Sequence, residues 1–541
     1  MIVLRILEIF ASVLAAVYLV VGLVRLVRPR RVGRWLPVVL VVAAPSVAQA
    51  TVINATSCAK ADVETAVASA VDGDTVAIPA CASTTWTSAV VTSKGITIQG
   101  AGIASTTINN NGFDMTAVDG KAWRITGLTL TGTACVNALT ESKAWRVDHV
   151  HFSAVSPGAG RCQNRLIWIE PTGPDYTKGL VDHNTFSNPG GIQIHVRPTG
   201  DGGNGEWLRA LGLGTDDAVY VEDNTFTSTV YNSSAPVNDC DAGGRMVFRY
   251  NTVVNSYFEM HDAIVTGARS CRKWEVYHNT FSMDHEFGAF VMLGIRGGTG
   301  VVFNNTYTTN GFSLVSPVGV ALYRTGQTGG DPWDVLCSTS SGKATLASTT
   351  APSGCTGTDN GCINLDGAGS GGYPCRDQFG FDGNDPQTTR PALFWNNTLD
   401  GVQTNGFSFI GPGTPSSYIT ENTDWCRSNT TSPPATCNGI STTYSPYTYP
   451  HPLQNVAGSA VPVGFPTGGL MPYFVEWAPL VFGILWHLRA VVVAGVVTAL
   501  ALGSSVAQAV EGRWTQAQVT TKQHVDRLAV AYVQWAKERK K

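Results

Sequence analysis

Three short segments concentrate side chains that can move protons and hold anions: IQIHVR at 192–197, YFEMHDAIV at 257–265 and MDHEFGAF at 283–290. Together they supply His195, Glu259, His261, Asp262, His285 and Glu286, with Arg197 in the first segment and Arg296 just past the third. Imidazoles and carboxylates exchange protons near neutral pH, and a guanidinium clasps a carboxylate through two parallel hydrogen bonds. Such a set suits an acidic sugar polymer. A lyase would abstract the proton beside a uronate carboxylate while Arg197 or Arg296 neutralises the enolate-like charge. A hydrolase would instead place two carboxyl groups across the glycosidic bond. A surface that only binds would use the same side chains as contacts, and polar residues on the solvent faces of strands are ordinary.

These residues can cooperate only if the chain brings distant segments together, and a repeat does so. An apolar strand ending in Asn-Thr-Phe, or a close variant, occurs as VDHNTF at 181–186, VEDNTF at 221–226, FRYNTV at 248–253 and VYHNTF at 276–281. VFNNTY at 302–307 and FWNNTL at 394–399 continue the series. The steps Asn224 to Asn251, Asn279 and Asn305 are 27, 28 and 26 residues, which fits one turn of a parallel β-helix with strand stacked on strand. The Asn side chains at each bend then form an amide ladder that satisfies donors the bend would strand. Phe186, Phe226 and Phe281 would stack inward. His195 stands eleven residues after Asn184 and Asp262 eleven after Asn251, with His261 at ten. Stacked strands lie about 4.8 Å apart, so register would make these residues neighbours. His149, His183 and His278 precede the ladder positions, which suggests a structural or surface role.

The body opens on KADVETAVASAVDGDTVAIPA at 60–80, where Val63, Ala66, Val67 and Ala70 share a helical face. A short helix of this kind covers the exposed end of a solenoid core. AVDGDTVAIPA and the following ITIQGAG resemble the opening of right-handed parallel β-helix proteins of the pectate-lyase-like superfamily. RGGTGVVFNNT at 296–306, YPCRDQFG at 373–380, PALFWNNTLDG at 391–401, TENTDW at 420–425 and YSPYTYPHPL at 444–453 are similar to blocks of exported bacterial members. The resemblance covers roughly residues 55–455. It implies an all-β, right-handed parallel β-helix with an N-terminal capping helix and a polysaccharide partner. Its members include lyases, hydrolases, epimerases and non-catalytic adhesins, so it fixes no chemistry. Calcium enters only by this family analogy: Asp239, Asp241 and Asp262 are candidates, without EF-hand spacing. Arg197 and Asp377 are the candidate substrate-binding residues. His451, between two prolines, is expected to shape the C-terminal closure.

Composition narrows the partners. Of 541 residues, 14 % are charged and the net charge is −3, which argues against a nucleic-acid binder with its basic stripe. All 12 cysteines lie between Cys58 and Cys437. That confinement suggests up to six disulfides in an oxidising compartment, with buried thiols as the alternative. Cys337, Cys355, Cys362 and Cys375 fall in the 92-residue gap between Asn305 and Asn397, which reads as a disulfide-rich insertion near 308–390.

The ends are apolar. Residues 9–24 approach a membrane span, and 25–50 follow the secretory pattern of a basic start, an apolar run and Ala48–Ala50 as a cleavage site. The runs 470–486 and 490–509 read as a helical hairpin at a membrane or as a second signal-like stretch, and 510–541 as a basic amphipathic helix. The expected organisation is therefore 1–50 for export or anchoring, 51–410 for the β-helix, 411–469 for closure and linker, then the two apolar runs as terminal helices and the basic tail. Non-enzymatic alternatives are a surface adhesin, a spike and a structural envelope protein.

Overall fold

The computed structural model describes residues 50–157, 162–171, 178–198, 203–229, 235–261, 269–284, 291–321, 377, 379–383, 388–410 and 419–455. They form a right-handed parallel β-helix. A 21-stranded sheet carries two strand columns joined through the Asn bend, and a 10-stranded sheet forms the third column. Successive coils pair in register: Val181 lies on Val221, Val221 on Phe248, Phe248 on Val276, and Val276 on Val302.

The predicted ladder is present. Asn184 Nδ2 donates to Asn224 Oδ1 at 3.0 Å, and the pattern passes through Asn251, Asn279, Asn305 and Asn397. Each Asn backbone N–H also donates to the next Asn side chain, so the bend leaves neither main-chain nor side-chain amides stranded. Inside, Phe152, Phe186 and Phe226 stack at 4.7 Å centroid spacing, while Phe281 stacks on Tyr307 at 5.3 Å. Val253 separates the two runs by pairing between Phe226 and Phe281.

The first coil is covered by the helix Lys60–Ser69, which buries Val63, Ala66 and Val67. Lys94 Nζ donates to the carbonyls of Val67, Ala68 and Ala70 at 2.6–2.8 Å, satisfying the acceptors that every helix end exposes. Among the described residues four disulfides, Cys58–Cys81, Cys135–Cys162, Cys240–Cys271 and Cys426–Cys437, are formed.

The 21-stranded sheet also has a covered outer face. Leu180, Tyr220, Val247, Tyr277, Phe303 and Trp395 form a second apolar cluster there, beneath Tyr444, Tyr447 and Leu453. Ion pairs sit beside it: Arg124 with Asp148, Arg146 with Asp182, and Arg249 with Glu222. The C-terminal segment 444–455 closes this face like a strap. Arg249 donates to the carbonyls of Tyr447 and Thr448, the His451 N–H donates to Glu222, and Arg146 donates to the Gln454 carbonyl. The His451 ring itself packs against Tyr220 at 4.6 Å and Tyr447 at 5.5 Å.

The 21-stranded sheet runs on past residue 410, since Trp425–Ser428 pairs with Ala392–Trp395. Among the described residues no helix is long and apolar enough to cross a membrane. The apolar terminal helices, the export signal, the basic tail and most of the 308–390 insertion with Cys337, Cys355, Cys362 and Cys375 lie outside the described residues.

Candidate active site on the third sheet

Along the 10-stranded sheet, alternate residues face the core and the outside. Ile194, Val196, Cys240, Phe258, Met260, Leu293 and Ile295 are core residues. Between them His195 pairs with Asp239, and Glu259 pairs with Gly294. Trp168 precedes His195 on the preceding coil. One outward row therefore reads Trp168, His195, Asp239, Glu259, Gly294. Two residues further along, Arg197, Asp241, His261 and Arg296 form a second row, with the Asp241 N–H bonded to Val196 O and the His261 N–H to Cys240 O. The rows bring together five of the expected residues: His195, Arg197, Glu259, His261 and Arg296.

The register differs from counting off the Asn positions. The partner of His195 is Asp239, not Asp262. The turn from the ladder Asn to this row varies in length, 11 residues from Asn184 to His195, 15 from Asn224 to Asp239 and 8 from Asn251 to Glu259, so no constant offset holds. Asp262, His285 and Glu286 lie outside the described residues.

His195 is held on both sides. Arg165 Nε donates to His195 Nδ1 at 2.7 Å, and His195 Nε2 lies 3.2 Å from Asp241 Oδ1. A guanidinium is only a donor, so Nδ1 accepts and the ring proton sits on Nε2, directed at Asp241. The Arg165 guanidinium covers the Trp168 ring at 4.4 Å. With 1 % exposure, His195 positions its neighbours and is not itself open to a substrate. Burial pushes the Asp241 carboxyl up, but His195, then Arg197 and His261, outweigh it and hold it below the ordinary carboxylate value. Arg197 Nη1 is 3.6 Å from Asp241 Oδ2.

At the next coils the side chains are more accessible. Arg296 pairs with Glu259, the two being 18 % and 14 % exposed. Tyr257 Oη donates to Glu259 Oε2 at 3.2 Å, and Arg296 Nη1 faces His261 Nε2 at 3.3 Å. Since arginine donates, the His261 lone pair on Nε2 points at the guanidinium and its proton resides on Nδ1. Among the described residues, a Cβ placed on Gly294 would meet nothing closer than the Phe258 carbonyl oxygen at 3.6 Å. The strand beside Arg296 carries no side chain at this position, and a Cβ there would make only ordinary contacts.

Asp377 stands apart from these rows. It is buried against Arg269, whose Nε and Nη2 donate to its carboxylate at 2.8 and 2.5 Å, and it accepts the Ser270 N–H at 3.1 Å. Ser270 bridges to Asp241, and Cys240–Cys271 fastens the same two segments. Asp377 thus braces the strand that carries Asp241. Sequence reasoning passed over Arg165, Trp168 and Tyr257, and considered Asp241 only as a calcium ligand. The alternation of Asp239 and Asp241 was the available signal.

The described residues do not fit a calcium site. No group of three or more His, Cys, Asp or Glu side chains among them could hold a metal ion. Asp239 and Asp241 flank His195, with Arg197 also on Asp241, so the nearest carboxylates already face cations or N–H donors.

No family model matches the chain, and no curated protein matches it. Among solved structures, it is similar to an alginate lyase from Paenibacillus sp. str. FPU-7, with 10 % identity, TM-score 0.29, and coverage of 50 % of this chain and 93 % of that one. It is also similar to an arginine-to-alanine mutant of the PL6 family alginate lyase AlyGC, with 12 % identity, TM-score 0.31, and coverage of 74 % of this chain and 59 % of that one.

Proposed function

We propose that the outer face of the third sheet binds an acidic polysaccharide and cleaves it by β-elimination, with Arg296 and His261 as the working pair. The observation that carries this reading is the contact of Arg296 with both Glu259 and His261 Nε2. A uronate carboxylate offers Arg296 a carboxylate in place of the one that Glu259 now supplies, and a guanidinium can hold it through two parallel hydrogen bonds. Exchanging Glu259 for substrate would turn the guanidinium away from His261 and free the Nε2 lone pair. His261 would then take the proton α to the neutralised carboxylate, and that C–H electron pair would form the new double bond. The glycosidic C–O bond at the β-carbon breaks, and the departing oxygen takes a proton from water. Pairing of the carboxylate with Arg296 stabilises the charge that develops on it.

Hydrolysis needs two carboxyl groups flanking the scissile bond. On the described face Asp239 and Asp241 are buried about His195, which leaves Glu259 without an accessible counterpart. The non-catalytic reading, a glycan-binding adhesin or envelope component, would use the same face without turnover. Incubating the intact chain with a panel of uronate polysaccharides, and following absorbance of unsaturated products, tests the proposal. Product formation that disappears in Arg296→Ala and His261→Ala supports elimination. A flat trace with folded protein that retains glycan binding rejects it in favour of the binding role.

A further inference from the structure

The row that holds His261 and Arg296 continues to a further cation, Arg197, which the elimination step leaves unused. Arg197 follows His195 by two residues, so strand alternation puts it on the same outward face. Asp241 and His261 lie between it and Arg296, one on each intervening coil. Three strand spacings of about 4.8 Å therefore separate the two arginines by about 14 Å along the solenoid axis. That is farther than a single sugar residue reaches.

Arg197 is held differently from other arginines of this sheet and its border. Arg165 donates to Gln163 O and to His195 Nδ1, and Arg269 clasps Asp377 through two nitrogens. Among the described residues the Arg197 Nε has no hydrogen-bond partner, and its Nη1 lies 3.6 Å from Asp241 Oδ2, beyond hydrogen-bonding distance. The side chain is 27 % exposed, so it is open to a ligand from solution. Asp241 is committed elsewhere, since His195 Nε2 donates to it at 3.2 Å. It offsets part of the Arg197 charge without filling the planar fork, which suits a carboxylate.

We infer that Arg197 is a second carboxylate subsite for the polymer cleaved at Arg296, so that the glycan lies along the solenoid axis and is gripped at two different uronates of one chain. The inference rests on the acidic-polysaccharide reading above. Once one uronate is held at Arg296, the second contact is intramolecular, so affinity rises steeply when an oligomer is long enough to reach both arginines. Shorter oligomers engage one arginine at a time.

Isothermal titration of the intact His261→Ala chain with uronate oligomers of increasing length tests this without turnover. Affinity should step up at the length that spans both arginines. Adding Arg197→Gln should erase that step and weaken long oligomers roughly tenfold or more, as for one lost charged hydrogen-bonding group. Arg197→Lys, which keeps the charge without the fork, should recover part of the loss, and circular dichroism checks the fold of each variant. No rise with length in the parent chain, or equal affinity for long oligomers with and without Arg197→Gln, overturns the inference. Turnover is read separately from the absorbance of unsaturated products. None from the wild-type chain, together with an Arg197-dependent step in affinity, rejects elimination and supports the subsite. Turnover whose KM for the polymer is unmoved by Arg197→Gln supports elimination and rejects the subsite.

Discussion

Arg269 and Asp377, 108 residues apart, meet in a buried bidentate pair, with the Arg269 guanidinium 4.5 Å over the Trp207 ring. Removing one partner of such a pair leaves an uncompensated buried charge and costs about 3–5 kcal/mol. Asp377→Ala should lower stability in urea denaturation by about that amount. Any loss of glycan affinity should follow loss of structure around Asp241. Full stability with selectively weakened binding would instead make Asp377 a contact residue.

The site itself gives a sharper contrast. Arg296→Lys keeps the charge but loses the planar fork, and should lower kcat/KM on a uronate polymer by about 100-fold, within the range of a lost charge-stabilising donor. His261→Ala should reduce kcat with KM little changed. Steady-state kinetics on both variants separates the roles.

The ladder predicts a local stability effect. Asn279 Oδ1 accepts from the Asn251 N–H and Nδ2, and its own Nδ2 reaches Phe248 O and Asn305 Oδ1. Asn279→Ala leaves several buried groups unpaired and should cost roughly 2–4 kcal/mol, at about 1–3 kcal/mol per stranded group. Amide exchange should rise first at Asn251 and Asn305 and spread along neighbouring coils.

Acid should loosen the strap before it attacks the coils. Burial, reinforced by Arg249, lowers the His451 imidazole to about 4, and the Leu453 N–H donates to its Nδ1. A depressed folded-state value means this contribution is intact above the unfolded value near 6.5 and is lost as pH falls toward about 4. The integrated effect is roughly 3 kcal/mol. His451→Phe should flatten stability against pH over that window, as followed by thermal melts from pH 7 to 4.

A second acid step should follow. Burial works to raise Asp148, but Arg124, His149 and Arg146 overcome it and hold the carboxyl at about 2. Its stabilising contribution is present above the unfolded value near 4 and is lost as pH falls toward about 2. Asp148→Asn should remove that step from the acid-unfolding profile while lowering stability at neutral pH.

The scaffold was legible because the same physical problem, a bend with stranded amides, recurs and receives the same answer at Asn224, Asn251, Asn279 and Asn305. The outer face was not legible. Arg146–Asp182 and Arg249–Glu222 are each made once, and their strap is far away in sequence. Counting from the ladder Asn brought His195, His261 and Asp262 to nearby coils, but the turn between the ladder and the third sheet is 11 residues long to His195, 15 to Asp239 and 8 to Glu259, and no motif records those lengths. Arg165 was invisible for a related reason, since its partner His195 lies on the next coil.

The strap changes how the stack behaves as a whole. Coils that touch only their neighbours would fray from either end, as in any one-dimensional array. The segment 444–455 bonds to Arg146, Glu222, Arg249 and Glu275, on separate coils. It therefore ties the Arg146 and Glu275 coils, which do not pair directly, to one segment, and that link opposes fraying of the coils between them. Because the strap follows these coils in the chain, that link arrives only after they have been synthesised.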